Sequence, residues 1–145
     1  MKTIFIGCDH AGFQTKLSII EFLESKFPQF QIENCGCNSQ ERTDYTIYSK
    51  AVAENVAKNQ DSIGILICGS GIGVSMAANK KKNVRAALIY NNEVASLARQ
   101  HNNANIACFA ARMFSYEQIN QMLELFLNAE FLGGVHLQRI ENLES

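Results

Sequence analysis

The chain has no tryptophan and one proline, Pro28, and its longest apolar run, Ile63 to Cys68, falls far short of the roughly 18 residues that a membrane span needs. The N-terminus shows no basic segment leading into a long apolar stretch, so no export signal is read and the expected location is the cytoplasm. Charge of either sign is not in surplus: 13 lysines and arginines face 14 aspartates and glutamates, for a net charge of -1. Without a basic excess there is no footprint for a phosphate backbone, and nucleic acid is excluded as the expected partner. Repeats, low-complexity stretches and interdomain linkers are missing as well, so residues 1–145 read as a single domain.

Five cysteines, an odd number, suit reduced thiols better than a disulfide framework in a chain large enough to build a core. Cys35-Gly36-Cys37 lacks the second ligand pair of a zinc site, so no metal is expected. With 47% hydrophobic residues there is ample core material.

Short apolar runs alternate with stretches of helical period. Thr3 to Ile6 reads as a strand and Phe13, Leu17, Ile20 and Phe27 as a helix face, which Pro28 stops. Gln31 to Cys35 reads as a second strand entering the polar loop Gly36 to Asp44, before a helix from Ile47 to Ala57. Ser62 to Cys68 is the nearly continuous aliphatic run of a strand covered on both faces, and Gly69 to Gly73 leads from it into a helix at Val74 to Lys80. Val84 to Ile89, a helix at Asn92 to Gln100, Asn105 to Phe109 and a helix at Tyr116 to Asn128 complete five strand–helix units. The fold class is α/β: a five-stranded parallel sheet with helices on both faces, followed by a C-terminal arm from Gly133 to Ser145.

Ligands of such sheets bind beyond the carboxyl ends of the strands. There the sequence places Cys8-Asp9-His10 after the first strand, Cys68 with Gly69, Ser70, Gly71, Ile72 and Gly73 after the third, and Ala111-Arg112 after the fifth. The glycine loop can serve simply as a turn, or as an anion cradle of backbone N–H groups. It is not a P-loop, which needs Lys and then Ser or Thr after its last glycine where Val74-Ser75 stands, nor a dinucleotide loop, which needs two residues before its third glycine. Asp9 reads either as a helix cap or as an acid, and Cys68 either as a buried thiol or as part of an acid–base set with Asp9 and His10. Lys80-Lys81-Lys82 reads as a solvated turn.

Gly7-Cys8-Asp9-His10-Ala11-Gly12, Glu41-Arg42-Thr43-Asp44-Tyr45, the block from Ile67 to Lys80, Arg85-Ala86-Ala87, His101-Asn102-Asn103-Ala104-Asn105 and Gly133-Gly134 together resemble the type B ribose-5-phosphate isomerases. The wider family includes isomerases of allose 6-phosphate and galactose 6-phosphate. The match runs in order over nearly the whole chain. The resemblance implies a metal-free, cofactor-free aldose–ketose isomerase in a three-layer Rossmann-like sandwich, acting on ribose 5-phosphate and ribulose 5-phosphate through an enediolate. It implies Cys68 as base, His101 as the acid that opens the sugar ring with Asp9 as its counterpart, and Ser70 as the hydroxyl that handles oxygen-bound protons. Gly69, Gly71, Ile72 and Gly73 are implied to hold the enediolate through their amides, Tyr45 and Asn102 to contact substrate, and His10, Arg112 and Arg139 to bind phosphate. It also implies a homodimer or homotetramer.

Two departures from the family pattern stand out. Val135 occupies an expected arginine in Gly-Gly-Arg-His, and Thr46 replaces the proline after Asp-Tyr, a change expected to loosen the loop bearing Tyr45. A six-carbon aldose phosphate is the alternative substrate, and a non-catalytic partner subunit the alternative function.

Topology adds one expectation. A crossover helix runs antiparallel to its strands, so His101, ending the helix before the fifth strand, should lie about 15–20 Å from Cys68 of its own chain. It is then either a cap on that helix's dipole or an acid delivered to a second subunit's site.

Overall fold

The computed structural model describes residues 2–144. Five strands, β1 (Thr3–Cys8), β2 (Gln31–Asn34), β3 (Ile63–Cys68), β4 (Ala86–Leu88) and β5 (Ile106–Ala110), form one parallel sheet in the order β2-β1-β3-β5-β4. The helices are α1 (Phe13–Lys26), α2 (Tyr45–Lys58), α3 (Ile72–Ala78), α4 (Asn92–Gln100), α5 (Tyr116–Asn128) and α6 (Val135–Leu143).

Successive side chains on a strand point to opposite faces, and the two cores follow that alternation. Ile4, Ile6, Ile65, Ile67, Ala107 and Phe109 pack into the core that also holds Ile19 and Leu23 of α1, Ala95 of α4 and Leu123 of α5. Phe5, Leu66, Cys68, Ile106 and Cys108 belong to the other core, with Val52 and Val56 of α2 and Val74 of α3. The expected three layers are present. Gly64 in β3 is where α2 presses closest: a Cβ there would fall 2.8 Å from side-chain carbons of both Val52 and Ile106.

Several boundaries differ from the sequence reading, each for a local reason. α2 starts at Tyr45 because the Asp44 carboxylate accepts from Thr46 N (2.9 Å) and Thr46 Oγ1 (2.8 Å), an N-cap that a periodicity of apolar residues does not register. Thr46 therefore pins the start of the helix bearing Tyr45 with two donors, one of which proline lacks, so the expected loosening is not found. α3 starts at Ile72, since Gly71 takes φ 76° and turns the chain immediately after β3. The C-terminal arm is a helix: α6 buries Ile140, and Glu144 beyond it accepts from Asn83 N at 3.0 Å, tying the end of the chain to the turn before β4. Ser145 lies outside the described residues.

β4 is the sheet's short edge. The Asn79 carboxamide covers it, donating to Ala86 O (2.9 Å) and accepting from Ala86 N (2.8 Å).

Candidate active site

Cys68 ends β3 at 5% exposure, and its Sγ accepts a hydrogen bond from the backbone N–H of Gly71 at 3.1 Å. That contact needs the tight turn that the left-handed Gly71 provides; a Cβ at this position would also meet Leu88 Cδ1 at 2.7 Å. Ser70 Oγ accepts from Ile72 N at 3.2 Å. Two of the amides expected as a free cradle are thus engaged within the loop, by the thiol and by the serine. The N–H groups of Ser70 and Gly73 make no hydrogen bond to the described chain.

Three other thiols are held toward the protonated form by their surroundings. Burial, reinforced by the charge of Cys68, pushes the Cys108 thiol up, and burial, reinforced by Cys37, pushes Cys8 up to about 12. Burial also raises Cys35. A thiol in those surroundings stays protonated and inert. All five cysteines are free, and no cluster of three or more metal-ligating side chains is found among the described residues.

Around this loop the fold gathers most of the expected residues. Asp9, 7% exposed, follows β1 and caps the 3-10 turn His10–Gly12, its Oδ1 accepting from Ala11 N (3.0 Å) and Gly12 N (3.3 Å). Its backbone N donates to Ile67 O, so β1 and β3 deliver Asp9 and Cys68 side by side. His10 Nδ1 accepts from Thr43 N at 3.2 Å, which leaves Nε2 as the protonated, donating nitrogen of a neutral ring. His10 can therefore meet an anion as a hydrogen-bond donor while remaining uncharged. Tyr45 lies on the glycine loop: a Cβ at Gly73 would fall 2.6 Å from the Tyr45 ring, so only glycine admits the phenol there. Arg112 follows β5, with its N donating to Gly69 O at 3.1 Å and its guanidinium packed on Gly69, where a Cβ would lie 3.3 Å from Nη1.

Three expected residues are elsewhere. His101 caps the C-terminus of α4, its N donating to Leu97 O at 2.9 Å. It comes before β5, whereas Cys68 ends β3 opposite Ala110, the last residue of β5. The strand between them alone spans about 13 Å at roughly 3.3 Å per residue. Asn102 is exposed and lines a cleft of about 830 Å³ with Lys80, Lys81, Lys82 and Arg85, on the His101 side and not at the thiol. Arg139 is on α6, where its charge acts on His136.

Two features escaped the sequence reading. The His136 ring stacks on His101, with centroids 4.3 Å apart and planes at 14°, a pairing made by α6 folding back and invisible in a chain segment read as an arm. Lys16 is fully buried, donating from Nζ to Asn34 Oδ1 (2.8 Å) and to the Cys37 carbonyl and lying over the Phe13 ring. It fastens α1 to the loop after β2, whose Gly36 O and Cys37 N bond the backbone of Cys8, one residue before Asp9. Its position three residues from both Phe13 and Ile19, on the helix's apolar face, was the available signal.

These features define an α/β protein of the parallel-sheet class with its reactive groups at the carboxyl strand ends, around a thiol held in a strand-to-helix loop. The family model described as Ribose/Galactose Isomerase matches residues 4–143, and the chain belongs to that family of isomerases. A probable ribose-5-phosphate isomerase B of Mycoplasma genitalium is 44% identical over 142 residues, covering 97% of this chain and 92% of its own. The ribose-5-phosphate isomerase B of Escherichia coli is 40% identical over 141 residues, covering 97% and 93%. The crystal structure of ribose-5-phosphate isomerase B from Mycoplasma genitalium with bound ribulose-5-phosphate matches with a TM-score of 0.93 at 43% identity, over 97% of this chain and 93% of that one.

Proposed function

We propose that this protein interconverts D-ribose 5-phosphate and D-ribulose 5-phosphate through an enediolate, with Cys68 as the base. The observation that carries the reading is the Gly71 N–H directed at the Cys68 sulfur, which fixes the thiol at the carboxyl end of β3 beside the glycine loop, where a ligand of such a sheet binds. The thiolate removes the proton from C2 of the open-chain aldose, and the resulting thiol returns it to C1, so no electron leaves the substrate and no cofactor is called for. The unengaged N–H groups of Ser70 and Gly73 stabilise the negative oxygen, and the Ser70 hydroxyl passes protons between the two substrate oxygens. Arg112, together with the Nε2–H of His10, suits the phosphate. Tyr45 flanks the sugar.

Opening of the furanose falls to His101 and Asp9, and the phosphate takes a further cation from Arg139. Since His101, Asn102 and Arg139 lie at the other edge of the sheet, they act on the thiol loop of a second copy, and each site is shared across a two-fold interface. Support comes from the α3 surface beside the loop, where Ile72 and Met76 are 44% and 64% exposed, and from Leu137 of α6 at 50%.

The test is a coupled assay of the purified protein against ribose 5-phosphate, allose 6-phosphate and galactose 6-phosphate without added metal. Turnover highest on the pentose phosphate supports the reading. A preference for either hexose phosphate, or no turnover on any of the three, overturns it.

A further inference from the structure

A second polar cleft, of about 570 Å³, opens at the amino-terminal edge of the sheet, away from the thiol loop. Lys2, Lys58, Arg85 and Arg99 line it, with Asp61 as its one acidic group. Arg85 and Arg99 come from different elements and converge on one turn. Arg85 Nε donates to Asn103 O at 2.8 Å, and Arg99 Nη1 donates to Ala104 O at 2.7 Å and more weakly to Asn103 Oδ1 at 3.4 Å. Asn105 Oδ1 locks the arrangement by accepting from Arg85 N at 2.7 Å.

Neither guanidinium has a carboxylate within ion-pair distance among the described residues, although Glu144 acts on Arg85 from farther off. Both are half-buried. Burial, and then the charge of Arg85, disfavours the charged form of Arg99, yet a guanidinium stays protonated in a protein. Two like charges are therefore held together at a solvent-accessible cleft with N–H donors left over, an arrangement that an anion relieves. The cleft falls in the usual size range for small-molecule sites, about 300–1,000 Å³, so it admits an organic group beside the anion.

We infer that this cleft binds a phosphomonoester, with its dianion against Arg85 and Arg99. The site is distinct from the thiol loop. The turn that both arginines hold is the one that follows His101 and Asn102, so occupancy braces those two residues; that consequence, unlike the binding itself, rests on the isomerase reading.

The test is an amide and arginine Nε–H NMR titration of the intact protein with glycerol 3-phosphate, and in a parallel arm with inorganic phosphate. Saturable shifts are expected at Ser62, Asn83, Asn105 and the Arg85 and Arg99 side chains, with a dissociation constant of about 1 mM and the ester tighter than the free ion. Shifts at Gly69 to Gly73 report the thiol loop separately, so the two readings fail independently. Arg99→Gln should weaken the cleft shifts about tenfold, the share of one charge-assisted contact, while leaving those at Gly69 to Gly73 in place. Asp61 has φ 70°, a conformation that asparagine accepts readily, so Asp61→Asn keeps the fold and should tighten binding by about two- to fivefold. No saturable shift at the cleft, or an affinity that Asp61→Asn leaves unchanged, overturns the assignment.

Discussion

The backbone N–H of Gly71 donates to the sulfur of Cys68 at 3.1 Å, holding the thiol against the loop that leads from β3 into α3. Cys68→Ala should leave the fold intact, since the side chain is small and at the end of its strand, and should lower turnover of ribose 5-phosphate by at least about a hundredfold, the lower range for loss of a general base. Cys68→Ser should recover little, because a hydroxyl is almost never ionised at neutral pH. An alanine variant keeping a tenth of wild-type turnover would remove Cys68 from the role.

Gly73 and Tyr45 form the second test. Gly73→Ala places a methyl 2.6–3.0 Å from three carbons of the Tyr45 ring, so the ring must swing off the loop. The Michaelis constant should rise, and stability should fall by about 1–3 kcal/mol, the usual cost of overpacking. Adding Tyr45→Ala should restore the stability but not the Michaelis constant. Thermal melts and initial-rate kinetics on the two variants separate these effects, and full kinetic recovery in the double variant would mean that Tyr45 does not meet substrate.

Subunit complementation tests the shared site. Inactive Cys68→Ala and inactive His101→Ala proteins, mixed under conditions of subunit exchange, should regain activity, because some hybrid dimers hold one intact site. Exchange demonstrated by mass labelling with no recovery would place His101 outside the reaction.

The stacked histidines predict a pH response. Partial desolvation, then the charges of His101 and Arg139, hold the His136 imidazole below the usual histidine range. The folded protein therefore binds this proton less readily than the unfolded chain does, and the contribution to stability declines as pH falls through the ordinary histidine value near 6.5. Imidazole proton shifts followed by NMR should show His136 titrating below that value, and His101→Ala should move it upward. An unchanged midpoint in that variant would show that the stack carries no electrostatic coupling.

The sheet, its helices and the side of the sheet that carries the thiol were legible because strand alternation and helix periodicity are local properties of the chain. Asp9 and Arg112 follow strands and Cys68 ends one, so the strand order alone brings them together. His101 was legible as a residue on the wrong edge for the same topological reason. What could not be read depends on contacts between distant segments: Lys16 reaching the carbonyl of Cys37, α6 bringing His136 onto His101, and the Thr43 amide fixing the neutral ring of His10. The boundaries missed by two residues at Tyr45 and Ile72 are set by a side-chain cap and a left-handed glycine, neither of which changes the apolar pattern.

The carboxamide of Asn79 has a consequence for how copies of this chain can meet. By pairing both ways with Ala86 it occupies that residue's outward N–H and C=O, groups through which a foreign strand would dock. At Ala86 the sheet cannot be extended by a neighbour's strand, so a ten-stranded sheet running through two protomers at that edge is closed off. A single asparagine thereby guards the start of an otherwise adhesive edge against unselective strand addition.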